Sequence, residues 1–178
     1  MRPALSPQTV RAIYQGPAAI AMTRLARAGD VLVAGGVEGT AAAFLLQAKG
    51  YMGVTAAHIF RLARTDALRI GGLDCKVSRR RLEFDLAYFP IFRADVTELN
   101  SPEYGEAAIL SRWGKRRCRI SDLGWSICIV VLEPKDLPIS GESGAPIVQD
   151  GCVVAMLSSI NLNTCKGTAI SADLIRME

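Results

Sequence analysis

The 178 residues, half of them hydrophobic and about a fifth charged, suffice for one domain or two closely packed half-domains with a buried core. The 16 Gly and 8 Pro are scattered without a low-complexity tract, which excludes disorder as a description of the whole chain. The formal net charge of +4 is modest, and Glu38 interrupts the longest apolar run, so a membrane-spanning helix is excluded on length.

The N-terminal residues do not form a secretory apolar region, because Pro3, Ser6, Pro7 and Gln8 break it up, and the chain reads as intracellular. A short helix is predicted over 6–16: Ser6 caps it, Pro7 suits its first position, Val10, Ile13 and Tyr14 share a face, and Gly16-Pro17 stops it. Strands follow. Segments 30–35, 40–47, 51–55, 66–70, 74–78 and 84–91 are short, apolar and punctuated by Gly, Asp, Lys or Arg, the pattern of a small barrel or sandwich. Residues 95–106, polar and carrying Asn-Ser-Pro, read as a linker. Six more strand segments start near 107, 117, 125, 145, 152 and 167, and a last helical turn is expected at Ala172-Asp173-Leu174-Ile175-Arg176-Met177. The resulting division is a lead-in over 1–27, an N-terminal barrel over 28–94, the linker, and a C-terminal barrel over 107–178. The expected fold is all-β: two packed six-stranded antiparallel barrels behind a short helix.

Five cysteines, an odd number without C-x-x-C spacing, suggest reduced, buried thiols and not a disulfide framework or a ribbon-type zinc site. The basic residues gather at Arg79-Arg80-Arg81 and at Lys115-Arg116-Arg117-Cys118-Arg119. Solvated loops between strands are the plain reading of these runs, and an anionic partner such as RNA is the alternative.

Three positions carry the chemistry. Ser143 lies between Gly141 and Gly144, which allow a sharp turn and an unobstructed approach; the N–H groups of Gly141 and Ser143 would then stabilise an oxyanion. Taken alone, the same pattern fits a glycine-rich hairpin. His58 is the sole histidine, set among small residues after a strand, and the only side chain whose ordinary pKa suits general-base work near neutrality. Asp85 sits in an apolar run, where an ionised carboxylate needs a partner unless it turns to water at a sheet edge. In a triad Asp85 would accept the Nδ1–H of His58 and stabilise the imidazolium formed as Ser143 attacks. The order His58, Asp85, Ser143, spaced by 27 and 58 residues, places the base and its orienter in the first half and the nucleophile in the second.

The motifs Val54-Thr55-Ala56-Ala57-His58, Phe84-Asp85-Leu86-Ala87 and Gly141-Glu142-Ser143-Gly144-Ala145-Pro146 resemble the His, Asp and Ser motifs of chymotrypsin-fold serine proteases. The chain is most similar to small viral members that cut polyproteins: its end resembles the togavirus capsid protease in layout, and its serine motif resembles flavivirus and pestivirus proteases. The resemblance implies a serine endopeptidase of the host cytoplasm, working through an acyl-enzyme on a viral polyprotein, with no metal or organic cofactor. It implies that Ser158, Ser159 and Ile160 pair with the substrate backbone and that Thr168 stands on the specificity-pocket wall. Leu137 occupies the position where trypsin-like members carry an aspartate, so the expected residue before the cut is small to medium and uncharged. Three alternatives accompany this reading. The enzyme cuts only its own junction and keeps residues 171–178 in its cleft; it requires an activating cofactor segment from another protein; or it binds RNA through Arg79, Arg80, Arg81, Lys115, Arg116 and Arg117.

Overall fold

The computed structural model describes residues 24–177. The helix expected over 6–16 lies outside them. The C-terminal half follows the strand spacing of its sequence. Strands β9 (Gly105–Ser111), β10 (Gly114–Leu123), β11 (Ile127–Leu132), β12 (Pro146–Gln149), β13 (Cys152–Asn161) and β14 (Lys166–Ser171) close into a barrel in the order β10-β11-β14-β13-β12-β9. On β11, Cys128, Val130 and Leu132 point inward and alternate with more exposed neighbours, the period of two that a half-buried strand requires. They meet Ile109, Ile120, Ile147, Val154, Leu157 and Ala169 in a core of their own.

The N-terminal half departs from expectation. Strands β1 (Val31–Ala34), β2 (Val37–Thr40), β5 (Ala67–Ile70) and β6 (Leu73–Lys76) form one sheet, ordered β2-β1-β5-β6; β3 (Ala43–Gln47), β4 (Gly50–Ala56), β7 (Arg79–Arg81) and β8 (Leu86–Ile91) form another, ordered β3-β4-β8-β7. The expectation of two six-stranded barrels is therefore wrong: one closed six-stranded barrel stands beside two open four-stranded sheets. The ladder is handed over at two corners and not carried through them. The Ala41 N–H donates to Asp30 O in the first sheet's hairpin region, whereas the next amide, Ala42 N–H, donates to Val54 O in the second. Val77 and Ser78 repeat the device, donating to Asp66 O and Tyr88 O respectively. The segment 40–47, read as one strand, is thus two.

The arginine run 79–81 is also a strand and not a solvated loop, paired with β8 from Arg79–Tyr88 to Arg81–Leu86. Both sheets enclose one core of Leu32, Phe44, Val54, Phe60, Ile70, Tyr88 and Phe89, and Met156, Ile170, Leu174 and Ile175 of the other half complete it. The segment 95–104 is a strap tied to both halves: Thr97 N–H donates to Phe44 O, Asn100 N–H donates to Val153 O, and Val153 N–H returns to Glu98 O. Helix α1 (His58–Ala63) follows β4, and α2 (Ala172–Met177) ends the described chain. Asp173 of α2 accepts from Ser101 of the strap and from Arg176.

Candidate active site

His58 is the first residue of α1, two residues beyond the end of β4 at Ala56. Asp85 ends a 3-10 turn, Leu82–Phe84, with φ +54°, a left-handed conformation that aspartate tolerates better than most residues. That geometry ends the turn just before β8 and brings the carboxylate under His58. The His58 backbone N–H donates to Asp85 Oδ1 at 2.8 Å, and His58 Nδ1 lies 2.8 Å from Asp85 Oδ2. Ser158 Oγ donates to the same Oδ2 at 2.7 Å. Burial pushes the Asp85 carboxyl up, but hydrogen bonds from His58 and Ser158, the imidazole charge and the His58 amide outweigh it, and the group lies below the usual aspartate value. A carboxylate can only accept, so Nδ1 carries the proton and Nε2 is left as the basic atom.

Ser143 lies in a turn built across both halves. Gly141 and Gly144 have φ of +96° and +82°, conformations that glycine adopts without strain. Thr40, at the end of β2, holds the turn twice: its N–H donates to Ser143 O at 2.8 Å and its Oγ1 to Gly141 O at 2.8 Å. Thr55 Oγ1 in turn donates to Thr40 O at 2.7 Å. A Cβ on Gly144 would stand 2.4 Å from Thr55 Oγ1, 2.5 Å from Thr40 O and 3.0 Å from Ala56 N. The Ser143 turn is thus in direct contact with the end of β4, two residues before His58. From the barrel side, Gly144 N–H donates to Leu157 O at 3.0 Å, next to the Ser158 that holds Asp85. Among the described residues the N–H groups of Gly141 and Ser143 have no hydrogen-bond partner within the chain.

Glu142 has no exposed surface. Its carboxylate accepts from Arg116 Nε at 2.7 and 2.9 Å, from Ser111 Oγ at 2.6 Å and from Ile139 N–H at 2.6 Å. A cavity of about 110 Å³ opens beside Ser143, walled by Pro138, Ile139, Glu142, Leu157, Ser158, Ser159 and Ile160. Pairing of β13 with β12 ends at Met156, so from Ser158 onward β13 has only β14 alongside. Thr168 is the β14 residue opposite Ser159, and Leu137 packs on the barrel core. A larger cavity of about 920 Å³, between Arg24–Val31 and the β9–β10 hairpin, holds none of His58, Asp85 and Ser143.

The sequence reading missed Thr40, Thr55, the Arg116–Glu142 pair and the hydrogen bond from Ser158 Oγ to Asp85. A signal existed only for Glu142, a charge enclosed by glycines beside an apolar run. Of the five arginines assigned to RNA, Arg79, Arg80, Arg81 and Arg116 are engaged within the chain. Arg79 lies over Tyr88 at 4.5 Å, Arg80 over Phe60 at 5.6 Å and Arg81 over Phe84 at 5.3 Å. Arg80 pairs with Asp66, Arg81 with Glu83 and Arg116 with Glu142. Lys115 and Arg117 line other cavities. No helix among the described residues is long and apolar enough to cross a membrane, and no cluster of metal-ligating side chains occurs among them.

This architecture is a protease-like fold of the chymotrypsin type, with an opened N-terminal half. No family model matches the sequence, and no curated protein matches it. Among solved structures the chain is similar to the NSP4 proteinase from equine arteritis virus, at 20% identity and a TM-score of 0.59 over 83% of this chain and 74% of that one. It is also similar to Thermobifida fusca Protease A, at 11% identity and a TM-score of 0.66 over 86% and 96%. A serine protease of human pathogenic astrovirus matches at 19% identity and a TM-score of 0.55 over 79% and 86%. At these identities the shared property is the fold.

Proposed function

We propose that this chain is a serine endopeptidase whose cleft lies between the half over 28–94 and the half over 107–178. The observation that carries this reading is the His58–Asp85 pair, completed by Ser158, standing just beyond the end of β4, which touches the Ser143 turn. Ser143 Oγ attacks the peptide carbonyl carbon as its proton passes to His58 Nε2. The negative oxygen that forms is met by the Gly141 and Ser143 N–H groups. His58 then gives the proton to the leaving amine as the C–N bond breaks, leaving an acyl-enzyme. Water, losing a proton to His58, displaces the acyl group; the carboxylic acid leaves and Ser143 regains its proton. Asp85 stabilises the imidazolium in both steps.

The likeness to viral proteases, together with the motifs, supports a viral polyprotein as substrate, cut where it is translated, in the host cytoplasm. Turnover in trans is favoured over a single self-cleavage. Leu174 and Ile175 are buried in the core, Asp173 and Arg176 bind the strap, and no residue of 172–177 lines the cavity beside Ser143. The test is labelling by a small fluorophosphonate, mapped to a peptide, alongside peptide turnover. The expected result is modification of Ser143 and a fall of about four to six orders of magnitude in turnover for Ser143→Ala with the fold intact. Full activity in that variant overturns the reading.

A further inference from the structure

We infer that Ile160 is the specificity-determining residue of this site, closing the pocket so that only a small, uncharged side chain fits before the scissile bond. The inference rests on the serine-peptidase reading and deepens it. Ile160 is half-buried, lines the cavity beside Ser143 and lies opposite Gly167 across the β13–β14 ladder. A Cβ built on Gly167 would meet Ile160 Cδ1 at 2.6 Å and Val130 Cγ2 at 2.8 Å. The Ile160 side chain therefore reaches across the bare backbone of Gly167 towards buried Val130. It occupies the depth that an absent side chain on β14 would otherwise leave open to a substrate.

The remaining cavity, about 110 Å³, is small beside the roughly 300–1,000 Å³ of common ligand sites. Its walls are apolar at Pro138, Ile139, Leu157 and Ile160. The one charge in the wall, Glu142, is spent on Arg116, Ser111 and Ile139 N–H. A substrate ammonium or guanidinium finds no unpaired carboxylate there, and a substrate carboxylate meets one already ionic partner of its own sign. A bulky aromatic side chain has no depth to enter until Ile160 is shortened.

The experiment uses peptidyl diphenyl phosphonates identical except for an Ala-, Val- or Phe-like side chain at the reactive position, with rates of Ser143 modification followed by intact mass. An apolar pocket wall such as that of Ile139, Leu157 and Ile160 discriminates by about 10- to 200-fold for a change of one methylene. The wild-type chain is accordingly expected to react about 100-fold or more faster with the Ala or Val probe than with the Phe probe. Ile160→Ala is expected to bring that ratio below about 10 by gaining rate on the Phe probe. Ile160→Val, which deletes only the methyl lying over Gly167 and spares the fold, should fall between. A wild-type preference for Phe, or an unchanged ratio in both variants, overturns the inference. The small fluorophosphonate separates the two levels: if it labels Ser143 and the ratios do not move, Ile160 is not the gate, whereas if it labels nothing, the nucleophile reading fails and this one falls with it.

Discussion

Glu142 and Arg116 form an ion pair at the Ser143 turn, with Arg116 Nε 2.7 Å from a carboxylate that has no exposed surface. Glu142 separates Gly141 from Ser143, so the position of its side chain governs the direction of the amides on either side. Removing one partner of a buried pair leaves an uncompensated charge, a cost of about 3–5 kcal/mol. Arg116→Met is therefore expected to lower unfolding stability by that order and to lower turnover. Replacing both residues, Arg116→Met with Glu142→Leu, should recover most of the stability. It should not recover the turnover, because the Ser111 and Ile139 anchors of the turn are lost as well. Urea denaturation beside kcat/KM for the three proteins checks both; full recovery of turnover in the double variant would show that the pair serves stability alone.

The contact between Gly144 and the Thr40–Thr55 hydroxyl network makes a second expectation. Any Cβ at 144 takes on the strain of φ +82°, about 1–3 kcal/mol, and an overlap at 2.4 Å with Thr55 Oγ1 that costs a similar amount. Because the overlap is resolved by pushing the turn away from β4, Gly144→Ala should lose turnover well beyond what its melting temperature accounts for. Thr55→Val removes only the hydroxyl and leaves Thr40 O unpaired; its stability loss is expected at about 1–3 kcal/mol. Calorimetry and fluorophosphonate labelling rates on the two variants discriminate the effects, and parallel losses in both would refute a positioning role.

Much of the C-terminal barrel was legible because its strands are short apolar runs bounded by Gly or a polar turn, with a plain alternation in β11. The pairing of His58 with Asp85 was legible for a different reason: a titratable group among apolar neighbours requires a partner, and few were available. The opening of the N-terminal half was not. Thr40-Ala41-Ala42-Ala43-Phe44 is buried throughout and carries no Gly, Pro or charged residue, so nothing in it marks the peptide where the hydrogen bonds change sheets. The arginine run misled for the converse reason. Its guanidinium groups lie over aromatic rings of the N-terminal half and pair with local carboxylates, so residues that look like a solvated loop are a sheet edge. Thr40 was invisible because its partner carbonyl is 101 residues away in the chain.

The cysteines make a third expectation. All five are free; burial pushes the Cys118 thiol up to about 12 and the Cys128 thiol up to about 11. Neither has a useful thiolate fraction at pH 8, and both lie in the barrel core. A water-soluble disulfide reagent should therefore modify these two only as fast as the barrel opens, with half-buried Cys152 and Cys165 reacting first. Rapid native-state modification of Cys118 or Cys128, located by peptide mapping, would contradict the closed barrel.

Asp85 links the site to acid stability, with a definite sign. Its carboxyl is depressed in the folded chain, so the stabilisation it contributes is complete above the ordinary aspartate value near pH 4 and is lost as pH falls through its lower native value. Ser158 supplies one of the hydrogen bonds that hold it down. A hydrogen bond to a charged group contributes about 1.5–3 kcal/mol, and Ser158→Ala should forfeit that order of stability at neutral pH. As the pH drops below about 4, the deficit relative to wild type should shrink, because protonated Asp85 no longer needs the donor. Asp85→Asn differs in kind: an amide that donates to Nδ1 selects the wrong imidazole tautomer, and turnover should fall by about 10⁴-fold while the fold persists. Denaturation curves from about pH 2 to 7 for wild type and Ser158→Ala test the linkage. A deficit that stays constant across that range would mean that Ser158 stabilises the fold through something other than the Asp85 carboxylate.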